Sequence, residues 1–267
     1  MSEGKGRALV TGASSGIGAV YADRLAARGH DLILVARDAA KLEARAAEIT
    51  ARHGVGVAAH PADLTDPADL RGVEALFASD PSLSMLVNNA GFGGAGTLAE
   101  SSVDDMEKMI AVNVTAVTRL AYAAAPAFVR RGRGTIINVA SIVAIGPEIL
   151  NGVYGGTKAF VLAFSRSLAK ELVGAGVSVQ VVLPGATATG FWDAMGVRRS
   201  DMPAGWIMTP ETLVDAALGD LDAGAFASIP SLHDLGQWQA WEAAREAMLP
   251  NLSSDRAAPR YRGLSPA

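Results

Sequence analysis

Short apolar runs alternate with longer helical patterns along the first two thirds of the chain, and this alternation constrains the fold more than any other feature. The apolar runs lie at residues 8–10, 32–35, 55–60, 85–88, 135–139 and 178–183. Between them, Ala-rich or amphipathic stretches occupy 17–28, 39–52, 67–78, 103–130 and 157–175. Strands that are apolar at nearly every residue must be covered on both faces, as in a parallel sheet. Right-handed crossovers then wind the helices onto both sides. The expected fold class is α/β: a doubly wound, Rossmann-type parallel sheet, one domain over residues 1–267 without repeat or linker. A run at 225–229 suits a seventh strand. Asp234 is placed to cap a helix that carries Leu235, Trp238, Trp241 and Met248 and stops at Pro250, so residues 230–267 are a C-terminal helical extension and tail. The stripe on that helix is read as packing, over the mouth of a site or on a partner subunit. The polar tail with Arg256, Arg260 and Arg262 is read as partly disordered or swapped.

Composition narrows the function classes. The 267 residues include no cysteine, which excludes disulfides, thiolate catalysis and cysteine-ligated metals. The histidines (His30, His53, His60, His233) are scattered without ligand spacing, so no metal site is expected. A net charge of -4 gives no reason to expect nucleic acid or an acidic membrane as partner. No signal-peptide core opens the chain and no apolar run approaches bilayer-spanning length, so the expectation is a soluble, cytoplasmic protein.

The turn after the first strand reads Thr11-Gly12-Ala13-Ser14-Ser15-Gly16-Ile17-Gly18 and runs straight into a helix. Glycines there permit a tight turn and let backbone approach a pyrophosphate, to which the helix N-terminus offers N–H groups and positive dipole. About 20 residues on, where an acid would hold a ribose 2′-hydroxyl, the chain reads Val35-Ala36-Arg37-Asp38. Arg37 suits a 2′-phosphate, with Ser14 as an added hydroxyl, and favours NADP(H). A one-residue shift would instead turn Asp38 toward the ribose and keeps NAD(H) open, and Arg37 also reads as a solvated strand-end charge.

A third stretch follows the run at 135–139: Ser141, then Tyr154 and Lys158 four residues apart. If Tyr154 opens a helix, Lys158 lies one turn on, on the same face. A nearby ammonium favours the phenolate and pulls its pKa from near 10 toward the working range. A serine hydroxyl from the strand end can hydrogen-bond the oxygen of a reacting carbonyl or alcohol. That combination is a proton-transfer site for carbonyl/alcohol chemistry.

Taken in order over residues 7–190, these motifs resemble the short-chain dehydrogenase/reductase family, in its compact form of roughly 250 residues. The resemblance implies that Gly12, Ser14, Ser15, Gly16, Ile17 and Gly18 form the cofactor turn and that Asp63 and Leu64 contact the adenine. It assigns Asn88, Asn89, Ala90 and Gly91 to the segment beside the cofactor, with Asn88 and Asn89 alternatively tying strands together. Pro184, Gly185, Thr187 and Thr189 would wrap the nicotinamide. Asn113 joins Ser141, Tyr154 and Lys158 as the catalytic set; Lys158 would also hold the nicotinamide ribose beside Tyr154, and Asn113 a water linking Lys158 to solvent. The family's helices corresponding to 103–130 and 157–175 commonly form a dimer interface, often within a tetramer. Here both are apolar all round, so a homodimer or homotetramer is expected.

The expected substrate is a small ketone or secondary alcohol, hydrophobic or aromatic. Candidate pocket residues are Phe92, Ile142, Val143, Leu150, Phe191 and Trp192. Residues 191–210 are expected to form a mobile lid, in which Phe191, Trp192, Met195, Trp206 and Met208 either line the pocket or pack on a neighbouring helix. Glu148 is read as solvated. A 3-oxoacyl thioester reductase is the alternative substrate class, although the C-terminal extension departs from acyl-carrier reductases. A non-catalytic dinucleotide-binding regulator is the alternative of another kind, and it would be expected to lack Tyr154, Lys158 or Ser141.

Overall fold

The structure, a computed structural model, describes residues 5–94, 96–194, 196, 198, 200, 202–203 and 205–261, the side chains of 193 and 194 excepted. The chain divides into two compact units, Met1–Ser231 and Leu232–Ala267. The strands are β1 (Arg7–Thr11), β2 (Asp31–Ala36), β3 (Val57–Pro61), β4 (Leu83–Asn88), β5 (Gly134–Val139), β6 (Val177–Val182) and β7 (Ala227–Ser228). They form one sheet in the order β3-β2-β1-β4-β5-β6-β7, with every pairing parallel. The chain runs outward to β3 and then crosses back to β4 beside β1, so the C-terminal ends of β1 and β4 flank the crevice where such sheets bind ligands.

The helices are α1 (Gly16–Ala27), α2 (Ala39–His53), α3 (Pro67–Ser79), α4 (Val103–Ile110), α5 (Val117–Arg131), α6 (Gly152–Glu171), α7 (Phe191–Ala194), α8 (Pro210–Asp222) and α9 (Leu235–Met248). Several starts follow from local chemistry. The Asp38 carboxylate accepts from the Lys41 N–H, Asp66 from those of Ala68 and Asp69, and Thr209 from that of Thr212. α6 begins five residues before the expected start at 157, because Asn151 caps it.

Alternate residues of β1 feed two cores. Ala8 and Val10 pack with Tyr21, Leu25, Leu42 and Leu213 under α1, α2 and α8. Leu9 faces the other way, with Phe77, Leu120, Phe128 and Leu168 under α3, α5 and α6. β3 runs from 57 rather than 55, since Gly56 N–H is bound by the Asp31 carboxylate and leads the chain in.

One expectation needs correction. Helices α4 and α5 run on through a π turn (Ala111–Ala116) as one 29-residue helix that is long and apolar enough to span a bilayer. Half of its most apolar window is nevertheless buried inside the protein, which makes it a core helix. Within the single chain, α5 and α6 each keep an open face. Tyr122 is 69% exposed and Phe160 37%, and the rings of Tyr122, Phe164 and Phe160 stack in series. In the second unit, the Asp234 carboxylate caps α9, and Trp238 and Trp241 stack with centroids 5.0 Å apart. Arg262 lies outside the described residues.

Phe128 anchors the α5 side: it is fully buried, edge-on to Phe77 at 6.0 Å, and seated on Gly134, where an added Cβ would lie 2.3 Å from its ring. Phe128→Ala should cost about 3–5 kcal/mol, read as a lower urea midpoint with the slope unchanged.

Candidate active site

The glycine turn packs as close-approach geometry requires. Gly12 and Gly16 have φ of 66° and 56°, the left-handed region that favours glycine. At Gly18 a Cβ would lie 2.3 Å from the Gly12 carbonyl oxygen, so only glycine lets α1 rest against the end of β1. Thr11 Oγ1 accepts from the N–H groups of Asn89 and Ala90, each at 3.0 Å, and Asn89 Nδ2 donates to the Thr11 carbonyl at 2.9 Å. These bonds fasten the β4 end to the turn. Asn88 ties strands, donating to Asn138 Oδ1 across β4 and β5 at 2.9 Å.

The start of α1 differs from those of α2, α3, α6 and α8. Ser15 is extended there and makes no side-chain bond to the helix, and its first turn carries no acid. Uncapped N–H groups at the positive end of a helix, behind a glycine cradle, fit a pyrophosphate. The segment Pro184–Thr189 comes up against this turn, with Thr189 Cγ2 3.1 Å from where a Gly16 Cβ would stand. Thr187 is buried and its Oγ1 donates to the Gly185 carbonyl at 3.0 Å.

Beyond the end of β2, Arg37 is exposed and makes no ion pair or hydrogen bond among the described residues. Asp38 is engaged: it caps α2 through Lys41 N–H at 3.0 Å and pairs with Lys41 Nζ at 3.1 Å. Its carboxylate is therefore committed to the helix start. Asp63 Oδ1 closes a turn on Thr65, while the Leu64 side chain is buried in the core and has only backbone to offer a ligand.

Ser141, Tyr154, Lys158 and Asn113 are all buried and come together at the C-terminal ends of β4 and β5. Ser141 stands near enough to the Tyr154 hydroxyl to favour its phenolate. Ser141 Oγ accepts from Val143 N–H at 3.3 Å and lies 3.4 Å from the Pro184 carbonyl, to which it can donate. Lys158 Nζ donates to the Val139 carbonyl at 2.9 Å and lies 5.9 Å from the centre of the Tyr154 ring. Asn113 sits on the π turn between α4 and α5, a feature common at functional sites. Its Nδ2 donates to the Phe92 carbonyl and to Thr157 Oγ1, at 2.9 and 3.1 Å, and its Oδ1 accepts from Phe92 N–H at 3.2 Å. Both amide protons therefore bind protein.

The electrostatics differ from the expected depressed tyrosine. Burial pushes Tyr154 up to about 12, only partly opposed by the nearby Ser141 hydroxyl. Burial likewise pulls Lys158 down to about 8. Exclusion of water disfavours both charged forms and outweighs their mutual attraction, because the ammonium is turned to Val139 rather than to the phenol oxygen. At neutral pH Tyr154 is a phenol, the form that gives a proton.

Apolar side chains gather beside it. Met109, Val143 and Tyr154 form a buried cluster against which Phe92, Met106, Leu150, Val153 and Phe191 pack. The Phe191 ring is 5.7 Å from that of Tyr154, and Trp192 meets Phe191 edge-on while donating Nε1–H to the Thr187 carbonyl at 2.8 Å. Ile142 is half-buried outside this cluster, its N–H held by the Pro184 carbonyl. The expected lid residues divide: Met208 packs on the core beneath α1, Trp206 is 69% exposed, and Met195 lies outside the described residues. Glu148 is exposed. Met106, Met109, Val153 and Thr157 were not singled out by the sequence. The methionines share an i, i+3 face readable only once the π turn is known, and Thr157 stands one place before Lys158, its hydroxyl donating to the Tyr154 carbonyl at 2.8 Å.

Comparison with known proteins matches the family model for short chain dehydrogenases to residues 6–199. The chain belongs to the short-chain dehydrogenase family. A short-chain dehydrogenase from Sphingobium yanoikuyae, solved in complex with NADPH, is 45% identical with a TM-score of 0.93, over 96% of this chain and all of that one (100%). The bulky-bulky ketone specific alcohol dehydrogenase from Comamonas testosteroni is 39% identical with a TM-score of 0.88, over 96% and 98% of the two chains. A very-long-chain 3-oxoacyl-CoA reductase of Anas platyrhynchos is 34% identical over 221 residues, 79% of this chain and 67% of that one. Membership in this family makes the protein an oxidoreductase of alcohol and carbonyl groups.

Because Lys158 is depressed from 10.5 to about 8, its burial opposes folding in full below pH 8. Between pH 8 and 10.5 the unfolded chain binds the proton and the folded one does not, so this penalty fades as pH rises. Lys158→Met should therefore abolish turnover yet raise unfolding stability at pH 7 by about 1–2 kcal/mol, after loss of the Val139 bond. Denaturation at pH 7 and 9.5 checks this, and the gap to wild type should be narrower at the higher pH.

Proposed function

We propose that the protein reduces bulky, hydrophobic ketones with NADPH and oxidises the corresponding secondary alcohols with NADP+. The observation that carries this reading is Tyr154, a buried phenol beside Ser141, standing in a cluster of Met, Phe, Val and Leu side chains. An apolar pocket with one polar corner selects a hydrophobic molecule that presents a single oxygen.

NADP(H), when bound across the glycine turn, supplies or accepts the hydride. The chain's own residues do the rest. Gly12, Gly16 and Gly18 bring backbone to the pyrophosphate, and the first N–H groups of α1 meet its charge. Asp63, Leu64, Ala90 and Gly91 would flank the adenosine half and the sheet end. Pro184, Gly185, Thr187 and Thr189 would border the nicotinamide. Ser141 orients the substrate oxygen, Tyr154 gives it the proton in reduction or, as the phenolate, takes it in oxidation, and the Lys158 ammonium offsets the phenolate's charge. Asn113 fixes the floor of the site through Phe92 and Thr157. Phe191 closes the pocket over Tyr154.

For the cofactor, Asp38 is held at the start of α2 by Lys41, which supports Arg37 as the residue that meets a 2′-phosphate. The segment 191–210 is read as a lid. Its base is closed by hydrogen bonds from Met208 N–H to the Ala186 carbonyl and from Ala188 N–H to the Met208 carbonyl, at 2.9 and 2.8 Å. The exposed Tyr122, Phe160 and Val129 on α5 and α6 support a homo-oligomeric contact there. A second reading is a 3-oxoacyl thioester reductase, favoured by relatives of that kind, because a long acyl chain would suit the same apolar walls.

Turnover of NADPH with diaryl and long alkyl ketones, exceeding that with a 3-oxoacyl thioester, would bear out the ketone reading; the reverse order would favour the thioester. On the preferred substrate Tyr154→Phe should lower kcat by about 10²–10⁴-fold and leave NADPH binding intact. Arg37→Ala should weaken NADPH binding by about 1.5–3 kcal/mol and barely change NADH, measured by fluorescence titration. Equal loss for both cofactors would remove Arg37 from phosphate recognition.

A further inference from the structure

We propose that Asn151 is a positioning residue that latches the pocket loop, residues 92–94 and 96–101, to the start of the catalytic helix. Its side chain faces two ways. The Oδ1 caps α6, accepting from Val153 N–H at 2.9 Å and from the Tyr154 N–H at 3.4 Å. The Nδ2 crosses to the loop, donating to the Gly96 carbonyl at 3.0 Å and to Ser101 Oγ at 3.4 Å. Ser101 Oγ has its own hydrogen committed to the Thr97 carbonyl at 2.8 Å, so it is free to accept. Gly96 has φ 113°, which presents its carbonyl toward Asn151 in a conformation closed to other residues.

The near end of the loop is held by Asn113 at Phe92, and Asn113 reaches Tyr154 through Thr157. The loop is thus fastened at Phe92 to the carbonyl side of Tyr154 and at Gly96 to its N–H side. Between these ties, Gly94 lies over Met106 and Met109, close enough that a Cβ there would stand 3.3 and 3.2 Å from their methyl groups. The seat of the loop therefore sets the width of the pocket relative to the reacting phenol. Many residues can cap a helix: Ser, Thr and Asp do so as well as Asn. Among these, Asn alone adds NH₂ donors to the capping acceptor, and the loop uses that half of the amide. A large substrate that presses on Phe92 and the methionines needs the loop in place, whereas proton transfer from Tyr154 needs only the cap.

The kinetic part of this inference rests on the ketone reading; the structural part does not. Asn151→Ser retains a capping oxygen but is too short to reach Gly96, and Asn151→Ala removes both functions. Hydrogen–deuterium exchange on the full-length protein should show Asn151→Ser speeding peptides from 92–101 by about fivefold or more, the opening expected from loss of the bonds to Gly96 and Ser101, with peptides from 152–160 unchanged. Asn151→Ala should speed both. In parallel, Asn151→Ser should raise KM for a diaryl ketone by about three- to tenfold with kcat within twofold, and should leave KM for a small ketone unmoved. Loop exchange equal to wild type in Asn151→Ser would overturn the latch and leave Asn151 as a cap alone. KM rising equally for large and small ketones would overturn its role in pocket width. Absence of wild-type turnover on any ketone would sink the ketone reading only, because exchange still decides the latch.

Discussion

The site depends on a helix that has a single seat. α6 meets the sheet and the neighbouring π turn through polar bonds made where water does not reach: Lys158 to the Val139 carbonyl, Ser165 to Asn138 and Thr157 to Asn113. In a low-dielectric interior a polar group without its partner costs about 1–3 kcal/mol, so sliding or rotating α6 would orphan several groups together. Apolar contacts alone tolerate such shifts far better. The bonds also form a series, since Asn138 is bound in turn by Asn88 on β4. Tyr154 and Lys158 inherit their positions from this lattice, and the burial that holds them also keeps the phenol neutral.

The crevice supplies the second half of the geometry. Because β1 and β4 are neighbours in the sheet but not in the chain, their ends diverge into loops that leave on opposite sides. One carries the glycine turn and the open start of α1, the other Asn89 to Phe92. Thr11 stitches them with a single hydroxyl that donates to the Val87 carbonyl and accepts from Asn89 and Ala90. A small polar side chain at a strand end thereby sets the spacing between the place for an anion and the place for a reacting carbonyl.

The parallel, doubly wound sheet was legible because it rests on period. Six strands fell within two residues of the apolar runs, and Tyr154 and Lys158 share a face as four-residue spacing requires. The glycines of the first turn could be read as backbone requirements before any contact was visible. What escaped was set by tertiary chemistry. The spacing of Tyr154 and Lys158 carries no information on where the ammonium points, and in the fold it is drawn to the Val139 carbonyl. The role of Asp38 stayed open until its carboxylate was found capping α2. Which apolar side chains of α5 and α6 stand clear of the core, Tyr122 and Phe160 among them, was not legible either, since composition does not distinguish a face awaiting a partner from a face against the core. The pocket methionines were hidden for a different reason, which lies in the backbone.

Met109 precedes Leu120 by eleven residues, and in an uninterrupted α-helix that spacing returns nearly to the same side. Leu120 lies on the sheet, so Met109 would be drawn there as well. The π turn at 111–116 holds roughly one extra residue and so turns α4 by about 100° relative to α5, enough to aim Met106 and Met109 at Tyr154. The helix thus works as two faces in different phase joined by a one-residue offset. Its lower half is bound to the sheet and its upper half is free to vary with whatever the pocket must hold. In such a helix, losing or gaining one residue at the offset is a change of specificity that leaves the core untouched, a route open to descendants of this sequence that side-chain replacement alone does not provide.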